Sequence, residues 1–272
     1  MFTKENFRFD CVIPHLNYQN VEKSIRTLKE KTPKYNLGKI IFINQSGNDY
    51  PWTKELVDVH IQIEHQGFAR ANNLGIRLSD ADFVACMNDD VEIIHPKWID
   101  GIIETFNRYP NALCVSPASP RNPRASGEEP IDHPSFPHKE EWTEEEYDKL
   151  VKEIGKNYII DGICMFFPIF RREMLEKLPG TIPGKCYFDE YYFPAGGEDY
   201  DMNRRAYLSG MRCLGTNLSY VYHWWYSTRR IKDGIAGVKH CGSLFNDKWG
   251  EGADIYGKTG KQLVPNNIIR EL

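Results

Sequence analysis

The sequence predicts an α/β fold built on a mainly parallel central sheet flanked by helices. Short β-rich runs alternate with segments of helical spacing, the connections between them are short, and the strand ends carry polar residues. At 272 residues the chain suits a single domain, 1–272, and its 41% hydrophobic content is enough for a packed core rather than a disordered chain.

The first strand is Phe9 to Pro14 (FDCVIP), followed by a helix from Asn20 to Lys31 with Val21, Ile25 and Leu28 on one face. Lys39 to Asn44 and Val59 to Glu64 read as strands, Gly67 to Leu78 as a helix, and Asp82 to Met87 as a strand running into Asn88-Asp89-Asp90. Lys97 to Arg108 reads as a helix. Pro117 to Glu146, rich in proline, charge and histidine, reads as a long loop, and residues 116–157 as an insertion. Tyr158 to Arg171 is apolar but interrupted by Gly162 and Pro168, which suggests buried strand. Asp199 to Ser209 is helical with Gly210 as its C-cap, Leu218 to Trp225 is an aromatic strand, and the tail from Ser227 is expected to wrap over the site. In such a fold ligands bind beyond the carboxyl ends of the strands, here Pro14 to Asn17, Asn44 to Ser46 and Asn88 to Asp90.

A net charge of -4 leaves no global footprint for nucleic acid or an anionic membrane. Seven dispersed cysteines without a CxxC pair read as reduced thiols, so a cytoplasmic location is expected. No run approaches the ~20 apolar residues of a membrane span or the core of a signal peptide; peripheral docking at a membrane stays compatible.

Asp89-Asp90 after an apolar strand is costly unless exposed or bound to a cation, and a hard divalent ion bridging carboxylates to phosphates offsets that cost. A solvated turn is the competing reading. Before the pair stands Gly67-Phe68-Ala69-Arg70-Ala71-Asn72-Asn73-Leu74-Gly75, and after it come Phe188-Asp189-Glu190, Gly196-Gly197-Glu198-Asp199-Tyr200-Asp201 with Arg204, Gly210-Met211-Arg212, the strand bearing His223, and Leu244-Phe245 with Lys248-Trp249-Gly250. Together these blocks resemble the family 2 glycosyltransferases over roughly Phe9 to Gly250.

That resemblance implies a GT-A, Rossmann-like fold with a nucleotide-sugar half (1–115) and an acceptor half with a C-terminal tail (158–272). It implies a metal-dependent transfer of a sugar from a nucleotide-diphosphate sugar, UDP-sugar favoured, to a glycan or other hydroxyl acceptor, with inversion. By it Asp90 and His223 hold Mn²⁺ or Mg²⁺, and Asp89 with Asn88 meets the donor. Asp199 is the general base, Glu198 is next in line, and Asp201 pairs with Arg204. Pro14, His15, Asn17, Asn44, Ser46, Arg70 and Asn72 are candidate nucleotide contacts, although turn formation alone explains Asn44 and Ser46. Lys248 and the basic Arg229, Arg230 and Lys232 stand as screens for the diphosphate. Tyr191-Tyr192-Phe193 and Trp224-Trp225-Tyr226 offer flat faces to an acceptor sugar. Arg121 and Arg124 leave a nucleic-acid or phosphorylated acceptor open. The chain departs from the family pattern in Pro-His-Leu-Asn at 14–17 and Asn-Gln-Ser at 44–46. A nucleotidyltransferase and a non-catalytic sugar- or nucleotide-binding module are the rival readings.

Overall fold

In the computed structural model the described residues are 1–119, 139–154, 158–224 and 244–250, with a last strand at 268–270. Arg121, Arg124, Trp225, Tyr226, Arg229, Arg230, Lys232, Cys241 and most of the tail lie outside them.

A nine-stranded sheet forms the centre, in the order β11-β7-β9-β6-β8-β4-β1-β2-β3. The strands are β1 (Phe9–His15), β2 (Leu37–Asn44), β3 (Val59–Gln62), β4 (Phe83–Cys86), β6 (Ala112–Ala118), β7 (Tyr158–Asp161), β8 (Ile169–Arg171), β9 (Arg212–Tyr220) and β11 (Ile268–Arg270). A two-stranded ladder, β5 (Val91–Glu92) with β10 (Tyr222–His223), stands apart from it. β1 pairs parallel with β2 and β4, β2 with β3, and β6 with β9, whereas β8 runs antiparallel to β4 and β6 and β7 antiparallel to β9 and β11. The sheet is therefore mostly parallel, with β7 and β8 reversed.

The reversal explains the long apolar run at 158–171. It is two strands that break at Gly162, which takes φ 80°, and resume after Pro168. In β8 the consecutive Ile169 and Phe170 are both buried, so the strand carries no alternation to mark the change of direction.

Period two along each strand sends neighbours to opposite cores. On β1, Phe9, Cys11 and Ile13 join α1 (Val21–Lys31) and α4 (Trp98–Arg108) on one face. Val12 joins α3 (Gly67–Leu78), α6 (Arg172–Lys177) and α7 (Glu198–Leu208) on the other. Val21, Ile25 and Leu28 of α1 are buried as its spacing requires, and each such side chain stabilises by about 1.5–3 kcal/mol. A short helix, α2 (Thr53–Leu56), precedes β3. Among the described residues six cysteines are free thiols. Among the described residues no helix is long and apolar enough to cross a membrane.

The segment read as a loop meets regular elements at its two ends, and residues 120–138 between them lie outside the described residues. β6 runs into it as far as Ala118, and α5 (Glu144–Ile154) begins within it. The helix start has a capping box: Thr143 N–H donates to Glu146 Oε2 (2.9 Å) and Glu146 N–H to Thr143 Oγ1 (3.3 Å). Those contacts, with Lys139 first among them, hold the Glu146 carboxyl down at about 2. The expected strand over Leu218 to Trp225 is instead the end of β9 followed by β10.

The packing of α3 on β1 depends on Gly75, where an added Cβ would lie 2.1 Å from Val12 Cγ1. Gly75→Ala is expected to destabilise the fold by about 1–3 kcal/mol, because the strand beneath it cannot move aside. A lowered urea midpoint at unchanged m-value would show it.

Candidate active site

The order β3-β2-β1-β4 reverses direction at β1, and a ligand crevice opens at such a switch point, beyond the ends of β1 and β4. Asn88-Asp89-Asp90 occupies that end of β4. Its backbone is fixed from both sides, with Met87 N–H donating to Val12 O (2.9 Å) and Asn88 N–H to Phe166 O (2.8 Å).

Each aspartate meets a histidine. His15, the last residue of β1, has its Nδ1 2.7 Å from Asp89 Oδ2. A carboxylate only accepts, so Nδ1 carries the proton. Burial pushes the Asp89 carboxyl up, opposed by the hydrogen bond and charge of His15. His223 reaches Asp90 from the other direction, Nε2 to Oδ1 at 2.9 Å, with both side chains only 4% exposed. Pairing of β5 with β10, which aligns Val91 with His223, makes this meeting possible over 133 residues of chain, from 90 to 223. Trp224 N–H donates to Asp90 O (3.0 Å), His223 N–H donates to Ser119 Oγ (3.0 Å), and the imidazole stacks on Phe166 at 4.7 Å. Asn88 Nδ2 lies 3.5 Å from His223 Nε2.

Nearby negative charge is dense. Glu92 is buried, accepts from Trp224 Nε1 (2.7 Å) and lies 3.3 Å from Lys23 Nζ. Burial raises the Tyr18 hydroxyl, and the field of Glu92, Asp90 and Asp89 raises it further.

The donor set of Asp90 and His223 suits a divalent cation. Asp90 Oδ1 and His223 Nε2, 2.9 Å apart, could together hold such an ion. Carboxylate with neutral imidazole is a competent pair for Mn²⁺ and, less well, Mg²⁺. Among the described residues no group of three or more such side chains forms a protein-only metal cage. An ion here would take its remaining ligands from phosphate or water.

The second acidic motif opens α7. Gly196 and Gly197 take φ 106° and 105°, a region that other residues avoid, and this lets the chain turn into the helix with Gly196 N–H donating to Glu198. Glu198 is consequently buried, whereas Asp199 is partly exposed. Asn203, one turn later, clasps Ile163: its Nδ2 donates to Ile163 O (2.8 Å) and its Oδ1 accepts from Ile163 N–H (3.1 Å). The turn at 162–168 therefore joins the helix of Asp199 to Phe166, which carries His223.

Asp201 was expected to pair with Arg204; its partner is Arg205, at 2.7 Å, because the i,i+4 step aligns them on the face turned inward. Asp201 is fully buried and also receives Lys248 Nζ (2.6 Å) and Trp249 Nε1 (2.8 Å). The Arg204 guanidinium lies over the Trp249 ring at 4.7 Å. Lys248 also meets Asp189 at 2.6 Å, so its charge is engaged by two carboxylates, and the short helix at 244–249 is fastened to α7. Burial raises the Asp189 carboxyl, but hydrogen bonds from Lys248 and Tyr191 outweigh this and leave it below its usual range.

The other expected nucleotide contacts divide. His15 is 1% exposed and acts on Asp89 and Tyr50. Asn44 is buried and shapes its own turn, accepting from Ser46 Oγ (2.8 Å) and donating to Asn48 O (2.7 Å). Pro14 lies within β1, opposite Ile43 of β2 and past the last β4 pair at Val12, where its missing N–H leaves no gap. Asn17 stays partly exposed beyond the strand. Asn72 is buried, donating to Phe68 O (3.1 Å), and Arg70 pairs with Glu190 (2.9 Å).

Residues that sequence reasoning did not single out carry much of this frame. Asn73 accepts from Tyr187 N–H (3.0 Å) and Phe188 N–H (2.9 Å) and donates to Glu190 Oε1 (3.1 Å), bringing the 187–190 segment to α3. Positions within the two motif blocks were the available signal for Asn73 and for Asn203; for Tyr50 and Phe166 there was none. Of the expected aromatic faces, Tyr191 and Phe193 are about half exposed, at 52% and 50%, and Tyr192 is core.

With this geometry in view, the family model described as glycosyl transferase family 2 matches residues 10–179, and the chain belongs to that family. No curated protein matches the sequence. Among solved structures, similar chains include a mannosyltransferase, PcManGT, from Pyrobaculum calidifontis in complex with GDP-Man and Mn²⁺ (TM-score 0.53, 16% identity, 79% of this chain and 56% of that one). GalNAc-T7 with UDP, GalNAc and Mn²⁺ is similar at TM-score 0.58 and 12% identity, over 92% of this chain and 52% of that one. S. aureus TarS 1-349 follows at 0.50 and 14%, over 89% and 70%. This chain thus spans little more than half the length of the first two. At these identities the likeness establishes the GT-A fold.

Asp201→Ala would leave the buried Arg205 guanidinium without its carboxylate and is expected to cost about 3–5 kcal/mol of stability. Equilibrium urea unfolding would measure it.

Proposed function

We propose that this family 2 chain transfers a sugar from a nucleoside-diphosphate sugar to a hydroxyl acceptor, with inversion at the anomeric carbon. The observation that carries the reading is the convergence of Asp90 and His223, from distant parts of the sequence, at the switch point of the sheet. An Asp–His hydrogen bond that merely closes the β5–β10 ladder is the alternative account of that pair, and the first experiment below separates the two.

In this reading Asp90 and His223 hold Mn²⁺ or Mg²⁺, and Asp89, with Asn88 beside it, contacts the ribose or the donor sugar. When bound, the cation supplies charge neutralisation for the departing diphosphate. Asp199 takes the proton of the acceptor hydroxyl as its oxygen attacks the anomeric carbon, while the bond from that carbon to the diphosphate breaks on the opposite face. Asp199 lies in the first turn of α7 and is partly exposed, where an acceptor hydroxyl can reach it. Glu198 shapes the turn rather than sharing the proton, since it is buried against Gly196. Tyr191 and Phe193, exposed on the approach to α7, suit stacking by an acceptor sugar. Lys248, engaged by Asp189 and Asp201, contributes through the position of α7 more than through phosphate.

The rival nucleotidyltransferase reading calls for a glycine- and lysine-rich phosphate loop after the first strand. The residues between β1 and α1, Leu16-Asn17-Tyr18-Gln19-Asn20, include neither. A binding module without turnover would keep the nucleotide site and be indifferent to Asp199.

Two outcomes are expected. In a thermal-shift panel of UDP, dTDP, GDP, ADP and CDP, at least one nucleotide stabilises the chain only when Mn²⁺ is present, and Asp90→Ala abolishes the shift. A shift that survives in Asp90→Ala assigns the Asp90–His223 pair to the ladder alone. With an acceptor in hand, Asp199→Asn lowers kcat by about 10²–10⁴-fold while nucleotide affinity is retained, and an unchanged kcat would transfer the base role elsewhere.

A further inference from the structure

His15 stands where the strand leaves the sheet, in a place with little room for a ring of its size unless the surroundings are built for it. They are. The imidazole is fully buried, stacks on Phe42 at 5.5 Å with an interplanar angle of 24°, and meets Tyr50 edge-on at 5.2 Å. Both of its nitrogens are used, Nδ1 by Asp89 Oδ2 (2.7 Å) and Nε2 by the Tyr50 hydroxyl (2.9 Å). Tyr50 in turn lies 3.3 Å from Ser46 Oγ, which donates to Asn44 Oδ1, and Asn44 donates to Asn48 O. A continuous run of polar contacts therefore leads from the 44–50 turn to one oxygen of Asp89. Gln45 N–H donating to His15 O (2.8 Å) fastens the same two segments through the backbone.

We propose that His15 is a positioning residue, which together with Tyr50 fixes the Asp89 carboxylate in the orientation that receives the nucleoside-diphosphate donor. The inference rests on the donor-site reading above. Asp89 is itself 15% exposed at the crevice, whereas His15 is sealed behind it, so His15 acts on a ligand only through Asp89. An aspartate side chain has two torsions and would sample several orientations if Oδ2 were released. The hydrogen bond to a ring pinned on three sides removes that freedom before any ligand arrives. The 44–50 turn thereby acts on the donor site without presenting its own buried Asn44 to the ligand.

Two substitutions separate this role from simple filling of space. The amide nitrogen of asparagine falls near the place of Nδ1, and that of glutamine near the place of Nε2. His15→Asn thus keeps a donor for Asp89 and loses Tyr50, whereas His15→Gln keeps more volume and a partner for Tyr50 but loses the donor to Asp89. The experiment is titration calorimetry of UDP and GDP, each with Mn²⁺, into the wild-type chain, His15→Asn, His15→Gln and Tyr50→Phe, with the melting temperature of each free protein recorded. The proposal expects His15→Gln to weaken nucleotide binding by about tenfold or more, His15→Asn and Tyr50→Phe to weaken it by only about two- to fivefold, and affinity not to follow melting temperature. Equal affinity in all four proteins, or a weaker His15→Asn than His15→Gln, overturns the positioning role while leaving the donor-site reading intact. Absence of nucleotide binding by the wild-type chain overturns both.

Discussion

Asp89 and Asp90 stand side by side at the end of a buried strand, where two negative charges repel one another and lose most of their hydration. Like charges held in surroundings less polar than water repel more strongly than in bulk water, and loss of hydration adds to that cost. The surrounding structure is arranged to offset that cost. His15 comes from the end of β1 to one carboxylate, and His223 comes from β10 to the other. The two histidines differ in surroundings, one sealed among Phe42 and Tyr50, the other stacked on Phe166 at the meeting of four chain segments. The two adjacent carboxylates thus have separate partners, His15 for Asp89 and His223 for Asp90.

A second arrangement of charge supports the first from the start of α7. Asp201 is buried under Arg205, Lys248 and Trp249, and so α7 is tied both to the 179–189 segment and to the short helix at 244–249. Removing one partner from such a group is costly, which makes the placement of the first turn of α7, and of Asp199 within it, insensitive to small disturbances. Asn203 and Asn73 extend the same frame with neutral hydrogen bonds, one to the turn at Ile163 and the other to the chain at 187–190. Both amides use their donor and acceptor ends at once, which fixes backbone segments without introducing further charge.

Much of the fold was legible because the spacing of apolar residues follows local geometry. The helix at Gly67–Leu78 has the bounds that its spacing predicts, and β1, β2, β4 and α4 fall within two residues of theirs. At the end of the segment 117–146 a capping box visible in the sequence, Thr143 with Glu146, marks where the next helix begins. The apolar run at 158–171 could not disclose its own reversal. A continuous apolar run gives the same pattern whether its strands run with their neighbours or against them. Asp201 illustrates the same limit at the scale of one side chain, since Arg204 and Arg205 are both within reach along a helix, both are buried, and only packing chooses which one meets the carboxylate.

The sequence by itself determined the chemistry available at the site: an acidic strand end, an acidic helix start after paired glycines, a histidine far along the chain, and the family to which these belong. These are properties of residue type and order, and local rules read them directly. Tertiary structure alone decided which of these groups meet. Asp90 and His223 become neighbours through the β5–β10 ladder, and His15, which looked like a ligand contact, is turned inward to hold Asp89. Burial and long-range pairing depend on how all the elements close around one core, and no window of sequence contains that information.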